Sequence, residues 1–240
     1  MAGNSIALLC NIYPASNEKQ ERILDLLRDG AKNYYRNPSN NTTTWSYMTP
    51  FPPPKDSSKL IISGLEIYTD KSALQKQVND KQFFQAYHET AKSEQLYARE
   101  EELVAWYFTA GFVVRSGSEH ATPFGDGNLI SQTKFVCKDR STVLQILESF
   151  VPFVRDEEPG VLTYAAFTRP KAPKEVVLVV RYRDKKAMMG HSKAEEHVDV
   201  VKKIMPNIEN DMGKSTTMWQ EIDDSFVSTK AGGPSASAKL

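Results

Sequence analysis

The sequence predicts an α+β chain made of two βαββαβ units, and three observations carry that prediction. The stretch 60–73 (LIISGLEIYTDKSA) and the stretch 176–187 (VVLVVRYRDKKA) share chemistry and spacing. Each is an apolar strand that ends in Tyr-x-Asp-Lys and opens into a helix, so Tyr68, Asp70 and Lys71 recur as Tyr182, Asp184 and Lys185, 114 positions later. The same offset carries Phe112 of AGFVVR onto Phe226 of DSFVSTK. A register held over that distance argues for duplicated folding units, each about the size of a small domain. Finally, the chain has 240 residues, 40% of them hydrophobic and 25% charged, enough for one sizeable core or two modest ones.

The elements follow in order. Ile6 to Tyr13 reads as a strand, and Asn17 as the cap of a helix over 18–36, because Ile23, Leu24, Leu27, Ala31 and Tyr34 recur at helical spacing. Residues 43–49 alternate as a strand does, FPPPKDSS is a turn, and 60–68 is the next strand. Helical stretches over 72–77 and 80–99 and a strand over 103–115 complete the first domain, 1–115. A connector over 116–127 holds His120 and the turn Gly125-Asp126-Gly127. The second domain, 128–230, repeats the order: strand 128–138, helix 141–156 with Pro152 as a kink point, strands 161–169 and 176–183, helix 185–204, and a last strand over 216–228. Residues 231–240 read as a disordered tail, being rich in Gly, Ser, Ala and Pro without apolar periodicity.

Thirty acidic residues balance thirty basic ones, and no Lys/Arg stripe interleaves with aromatics, so the electrostatic footprint of a nucleic-acid binder is missing. Apolar runs such as Val176 to Val180 are far too short to span a bilayer. These readings predict a soluble protein with neither nucleic-acid nor membrane partners. Cys10 and Cys137 sit in apolar strand-like runs without CxxC spacing, which predicts two buried thiols and no disulfide. No flavin, nicotinamide or phosphate motif is present, so no cofactor is expected.

The segments GVLTYAAF, VVLVVRYRDKKAMMGHSKAEEH and GLEIYTDKSALQKQVNDKQFFQAYHE, taken together in both halves, resemble the antibiotic biosynthesis monooxygenase family of the dimeric α/β-barrel superfamily. The resemblance implies two ferredoxin-like units packed sheet to sheet as an intramolecular dimeric α/β barrel, with a pocket between sheet and helices in each. It implies further that Tyr47 and Tyr164 are the second-strand tyrosines, that His191 is the catalytic histidine with His197 near it, and that Gln77 and Phe83 replace them in the first half. His88 matches the axial ligand of haem-degrading members and Asn11 their first-strand Asn, while their Trp is replaced at Gln77 or beside it.

The expected catalytic residues are therefore His191, Tyr164 and His88, with Asn11, Tyr47, Tyr68, Gln77, Tyr87, Tyr182 and His197 binding substrate. Histidine suits the base because its pKa lies near neutrality and it can take a proton from a phenol. His191 and Glu195 read as sharing one helix face, two groups that fall short of a metal site; no metal is expected. Glu66 and Arg181, two positions and one position before the two tyrosines, place opposite charges toward the expected interface. The function implied is oxidation of an electron-rich aromatic (a quinol, anthrone or polyketide-like molecule) by O2. The alternatives are a non-catalytic barrel that binds a hydrophobic ligand or a protein, and haem binding or degradation. Further homodimerisation is open. The triplet Ala238-Lys239-Leu240 resembles a peroxisomal targeting signal, which predicts a peroxisomal import receptor as partner and a peroxisomal location, with the cytoplasm as alternative.

Overall fold

The computed structural model describes residues 5–115 and 127–233. Its described residues fall into two compact units that are not consecutive in sequence: 5–105 with 221–233, and 106–115 with 127–220. His120, the Gly125-Asp126 turn and the triplet Ala238-Lys239-Leu240 lie outside the described residues.

The first unit is built on the strands β1 (Ile6–Ile12), β2 (Thr42–Pro50), β3 (Ile62–Tyr68) and the short β9 (Phe226–Val227), in sheet order β1-β3-β2-β9 and all antiparallel. The register sets Cys10 and Tyr47 on either side of Gly64. A Cβ at Gly64 would lie 2.7 Å from both Cys10 Sγ and the Tyr47 ring. Only glycine lets that ring lie down across the sheet.

Helix α1 (Asn17–Gly30) is capped by Ser16, whose hydroxyl accepts from the Lys19 amide at 3.2 Å. Asn17, expected as the cap, is the first helical residue: Ser16 holds the extended backbone that a cap requires. The helix buries Ile23, Leu24 and Leu27 and then widens into a π-helical turn, Ala31–Tyr35, which buries Tyr34 and Tyr35. Asp70 caps α2 (Lys71–Val78) by accepting from the Ser72 and Ala73 amides, and a second π turn, Lys81–Gln85, leads into α3 (Ala86–Ser93). The helix expected to reach residue 99 ends at Ser93. Gln95 turns the chain with a positive φ of 51°, and the Leu96 carbonyl accepts from the Ala15 amide instead.

The second unit is a five-stranded antiparallel sheet in the order β4-β6-β7-β5-β8. Its strands are β4 (Glu102–Phe112, from Trp106 onward), β5 (Leu129–Val136), β6 (Val161–Thr168), β7 (Glu175–Tyr182) and β8 (Thr216–Glu221). Helix α4 (Arg140–Glu157), capped by Asp139, packs on β6 and β7 through Val143, Leu147, Phe150, Val151 and Val154. Pro152 sits within the continuous helix. The helix expected over 185–204 is two, α5 (Lys185–Lys193) and α6 (Glu195–Ile204), because Ala194 takes an extended ψ of 135°. Asp184 caps α5 with φ −162° and ψ 174°, matching Asp70 at −164° and 177°. The two Tyr-x-Asp-Lys segments thus hold the same place in their units.

The single last strand expected over 216–228 is two strands that belong to different units. β8 pairs with β5, whereas β9 pairs with β2. Between them the polar run Asp223-Asp224-Ser225 turns the chain at Asp224, φ 66°. Element order along the chain is βαββαβ twice over, as expected, with paired helices at the second helical position of each half.

Candidate active site

In the second unit, helix α4 stops at Glu157 and Pro159-Gly160 turns the chain into β6, which leaves Glu158 at the helix end with its carboxylate pointing inward. Glu158 Oε2 lies 2.6 Å from Nδ1 of His191, which is carried by the last turn of α5; both side chains are almost wholly buried, at 11% and 4% exposure. A carboxylate at Nδ1 fixes the tautomer: Nδ1–H donates to Glu158 and the Nε2 lone pair is left available as a base.

That ring borders a cavity of about 320 Å³ lined by Tyr164, Tyr182, His197, Ser131 and aliphatic residues including Leu147 and Val180. The ring centroids of Tyr182 and Tyr164 lie 5.5 and 6.2 Å from that of His191. Burial pushes the Tyr182 phenol up to about 12 and raises Tyr164 as well, so both stay protonated donors at neutral pH. The Tyr182 hydroxyl is 3.3 Å from Ser131 Oγ. His197, its ring 4.6 Å from that of His191, is pushed down to about 4 by burial and by its neighbour His191, and is therefore neutral. Its Nδ1 is buried without a hydrogen-bond partner among the described residues.

The first unit holds a smaller cavity of about 180 Å³, between β1–β3 and the helices. At its floor is Glu66, 3% exposed. Tyr47 donates to Glu66 Oε1 at 2.5 Å, Tyr68 donates to Oε2, and Gln77 Nε2 reaches Oε2 at 3.5 Å while also donating to the Tyr35 hydroxyl at 2.7 Å. Burial raises the Glu66 pKa, and these hydrogen bonds pull it back in part. At the mouth, His88 Nδ1 is 3.4 Å from Glu101 Oε1, and burial holds His88 below its ordinary value. Tyr87 lines the same cavity and shares a 2.5 Å hydrogen bond with Tyr97.

The residues singled out from sequence thus separate into two groups. His191, Tyr164, Tyr182 and His197 come together in the second unit; Tyr47, Gln77, Tyr87 and His88 line the first-unit cavity, with Tyr68 behind Glu66. Asn11 does not join them. Leu8, Cys10 and Ile12 line the cavity, so strand alternation turns Asn11 to the other face, where it donates to Glu102 at 3.4 Å. Glu195 shares no helix face with His191, because the break at Ala194 places it on the next helix; the carboxylate that meets His191 is Glu158. Glu66 faces its own unit's cavity rather than outward, and its carboxylate is engaged there. Cys10 and Cys137 are buried thiols whose pKa values burial raises, Cys137 to about 11, so neither is a ready nucleophile.

Residues 138–203 match the family model for antibiotic biosynthesis monooxygenase. The match lies wholly within the second unit. The matched segment contains α4, β6, β7, α5 and most of α6, and with them Glu158, Tyr164, Tyr182, His191 and His197, while Ser131 on β5 lies outside it. No curated protein sequence matches the chain. Three solved structures match it over nearly its whole length. A candidate monooxygenase of Fusobacterium nucleatum subsp. nucleatum superposes with TM-score 0.71 at 12% identity, covering 96% of this chain and 97% of its own. A candidate monooxygenase of Lactobacillus acidophilus NCFM gives 0.67 at 12% identity, covering 95% and 98%. An anthrone oxidase-like protein gives 0.60 at 10% identity, covering 92% of each chain. These likenesses show the fold: one chain that supplies two α+β units, each an antiparallel sheet with its own helices.

Proposed function

We propose that the second unit is the active half of a cofactor-independent monooxygenase that oxidises an electron-rich aromatic with O2. The observation that carries this reading is the buried His191–Glu158 pair set against two neutral phenols in an apolar cavity. Its volume, about 320 Å³, is roughly twice the ~150 Å³ cavity that accepts benzene, room for two or three fused rings. The anthrone oxidase-like fold relative supports the same substrate class.

In this mechanism His191 Nε2 removes a proton from the substrate and Glu158 stabilises the imidazolium that forms. Tyr164 and Tyr182 donate hydrogen bonds to the oxygen of the resulting anion. The anion passes one electron to O2; the substrate radical and superoxide then join through a new C–O bond, and loss of water from the protonated peroxide leaves a carbonyl. One oxygen atom enters the product and the other leaves as water, so the substrate supplies all four electrons that O2 takes up and no external reductant is needed. In the first unit Gln77 stands where His191 stands in the second.

Haem does not fit the residues present. The cavity beside His88, about 180 Å³, is little larger than a single ring requires.

Oxygen uptake with a panel of anthrones and hydroquinones tests the proposal. His191→Ala should lower kcat by about 10²–10⁴, with partial recovery on adding imidazole. Glu158→Gln should lower it by about 10- to 100-fold at unchanged KM, as expected of a positioning residue that loses a charge-assisted hydrogen bond. Equal turnover in wild type and His191→Ala would remove this histidine from the mechanism.

A further inference from the structure

We propose that the first-unit cavity is a second, separate binding site, built for a small aromatic cation: a single-ring amine in its protonated form. Two independent features of the pocket point there, beyond anything that the oxygenase reading requires.

The first is charge. Asp29, Glu66 and Glu101 all line the cavity, and among the described residues no Lys or Arg does. Glu66 lies at the floor, 3% exposed, and the groups that solvate it (Tyr47, Tyr68 and Gln77) are all neutral. A buried carboxylate is costly unless it is paired, and here the position beside it that a cation would take opens into the cavity.

The second is an unused acceptor. Gln77 is 2% exposed and borders the cavity, and its Oε1 is buried with no hydrogen-bond partner among the described residues. The amide orientation is fixed by its surroundings: Nε2 faces the Tyr35 hydroxyl and the Glu66 carboxylate, and the reverse orientation would turn Oε1 against that carboxylate. Two residues of the cavity wall thus carry a carboxylate whose hydrogen-bond donors are all neutral and an amide oxygen that has no donor among the described residues. An ammonium group supplies three and brings the missing charge as well.

The walls suit the rest of such a ligand. Tyr47, Phe83, Phe84 and Tyr87 border the space, and aromatic faces attract cations and pack against rings. A volume of about 180 Å³ against the ~150 Å³ that accepts benzene sets the size at one ring. The three carboxylates reject an anion of the same shape.

The experiment is calorimetric titration of the full chain at neutral pH with benzylamine, benzyl alcohol and benzoate, which share a ring and differ in charge. Benzylamine should bind at least about tenfold more tightly than benzyl alcohol, as a charged hydrogen bond implies, and benzoate least of all. Glu66→Gln should cost benzylamine about tenfold and leave benzyl alcohol within about twofold. Glu101→Gln, at the more exposed rim, should cost benzylamine a few-fold. No binding of benzylamine, or binding of the alcohol or benzoate as strong as that of the amine, overturns the proposal. So does a folded Glu66→Gln or Glu101→Gln chain that keeps full affinity for benzylamine; if Glu66→Gln does not fold, the three-ligand comparison and the rim variant still decide. Oxygen consumption plays no part in this readout, so the outcome is independent of the second-unit chemistry.

Discussion

Tyr68→Phe removes one oxygen atom and tests whether Glu66 is an ionised carboxylate held by donated hydrogen bonds. Tyr68 is fully buried, its hydroxyl donates to Glu66 Oε2, and it lies behind the cavity rather than on its lining, so solvent has no ready route to replace the lost donor. A hydrogen bond to a charged group contributes about 1.5–3 kcal/mol, and a neutral one about 0.5–1.5. The variant should therefore lose about 2 kcal/mol at neutral pH, a fall in Tm of roughly 4–8 °C for a chain of this size. The loss should also depend on pH. Burial raises the folded-state pKa of Glu66 above its ordinary 4.5, so its contribution to stability is fully present below about that pH and is lost as pH rises through the folded value. Removing a donor raises the folded value further, so the gap between wild type and Tyr68→Phe should be small at pH 4 and widen toward pH 7–8. Urea unfolding followed at both ends of that range measures it. A gap that is the same at pH 4 and pH 8 would show that the hydroxyl does not act on a charged Glu66, and the account of the first-unit floor would fail.

Gly64→Ala should destabilise by about 1–3 kcal/mol and weaken the Tyr47–Glu66 hydrogen bond, because the new methyl would lie 2.7 Å from both Cys10 Sγ and the Tyr47 ring; urea unfolding and tyrosine fluorescence report the two effects, and a change under 0.5 kcal/mol would contradict the packing described. Asp70→Ala and Asp184→Ala should each cost about 1 kcal/mol, and by similar amounts, since the two caps share one geometry; equilibrium unfolding of both variants checks it. His197 has its pKa pushed down from 6.5 to about 4, so its contribution to stability is present above pH 6.5 and disappears as pH falls toward 4. His197→Gln should therefore flatten the decline in stability across that window by on the order of 1 kcal/mol, a figure reduced for the partial exposure of the ring. An unchanged acid slope in thermal unfolding would show that His197 protonates freely.

What the sequence made legible was whatever is written locally. The doubled strand–Tyr-x-Asp-Lys–helix pattern is a short-range signal, and both copies form caps of equal geometry. His191 was marked by the family resemblance, which sets a histidine on the element after Tyr182. Glu158 was not, because it is 33 residues away in the acidic run Asp156-Glu157-Glu158, where nothing but the helix end at Pro159-Gly160 marks the one carboxylate that turns inward. Glu66 did carry a usable signal. It stands between Leu65 and Ile67 in a strand buried along its whole length, where a charged residue must be held by partners of its own unit. The ends of α1 and α3 were misread because a π turn keeps a nearly helical spacing of apolar residues, and a helix stop such as Gln95 needs only a positive φ that residue type marks poorly. The division of 216–228 was readable in Asp223-Asp224-Ser225, but the β propensity of the residues on both sides concealed it.

The return of residues 221–233 to the first unit has a consequence for how the molecule is made. β9 hydrogen-bonds to β2, Ser46 donates to Glu221, the Ser225 hydroxyl accepts from the Tyr47 amide, and Asp224 takes ion pairs from Lys32 and Arg36. When residues 5–105 have been synthesised, β2 therefore still waits for β9, and all of 106–220 must be made before that neighbour emerges. The first unit is complete only after the second has been translated, so a frameshift or nick that removes 221–233 would harm the unit built on 5–105.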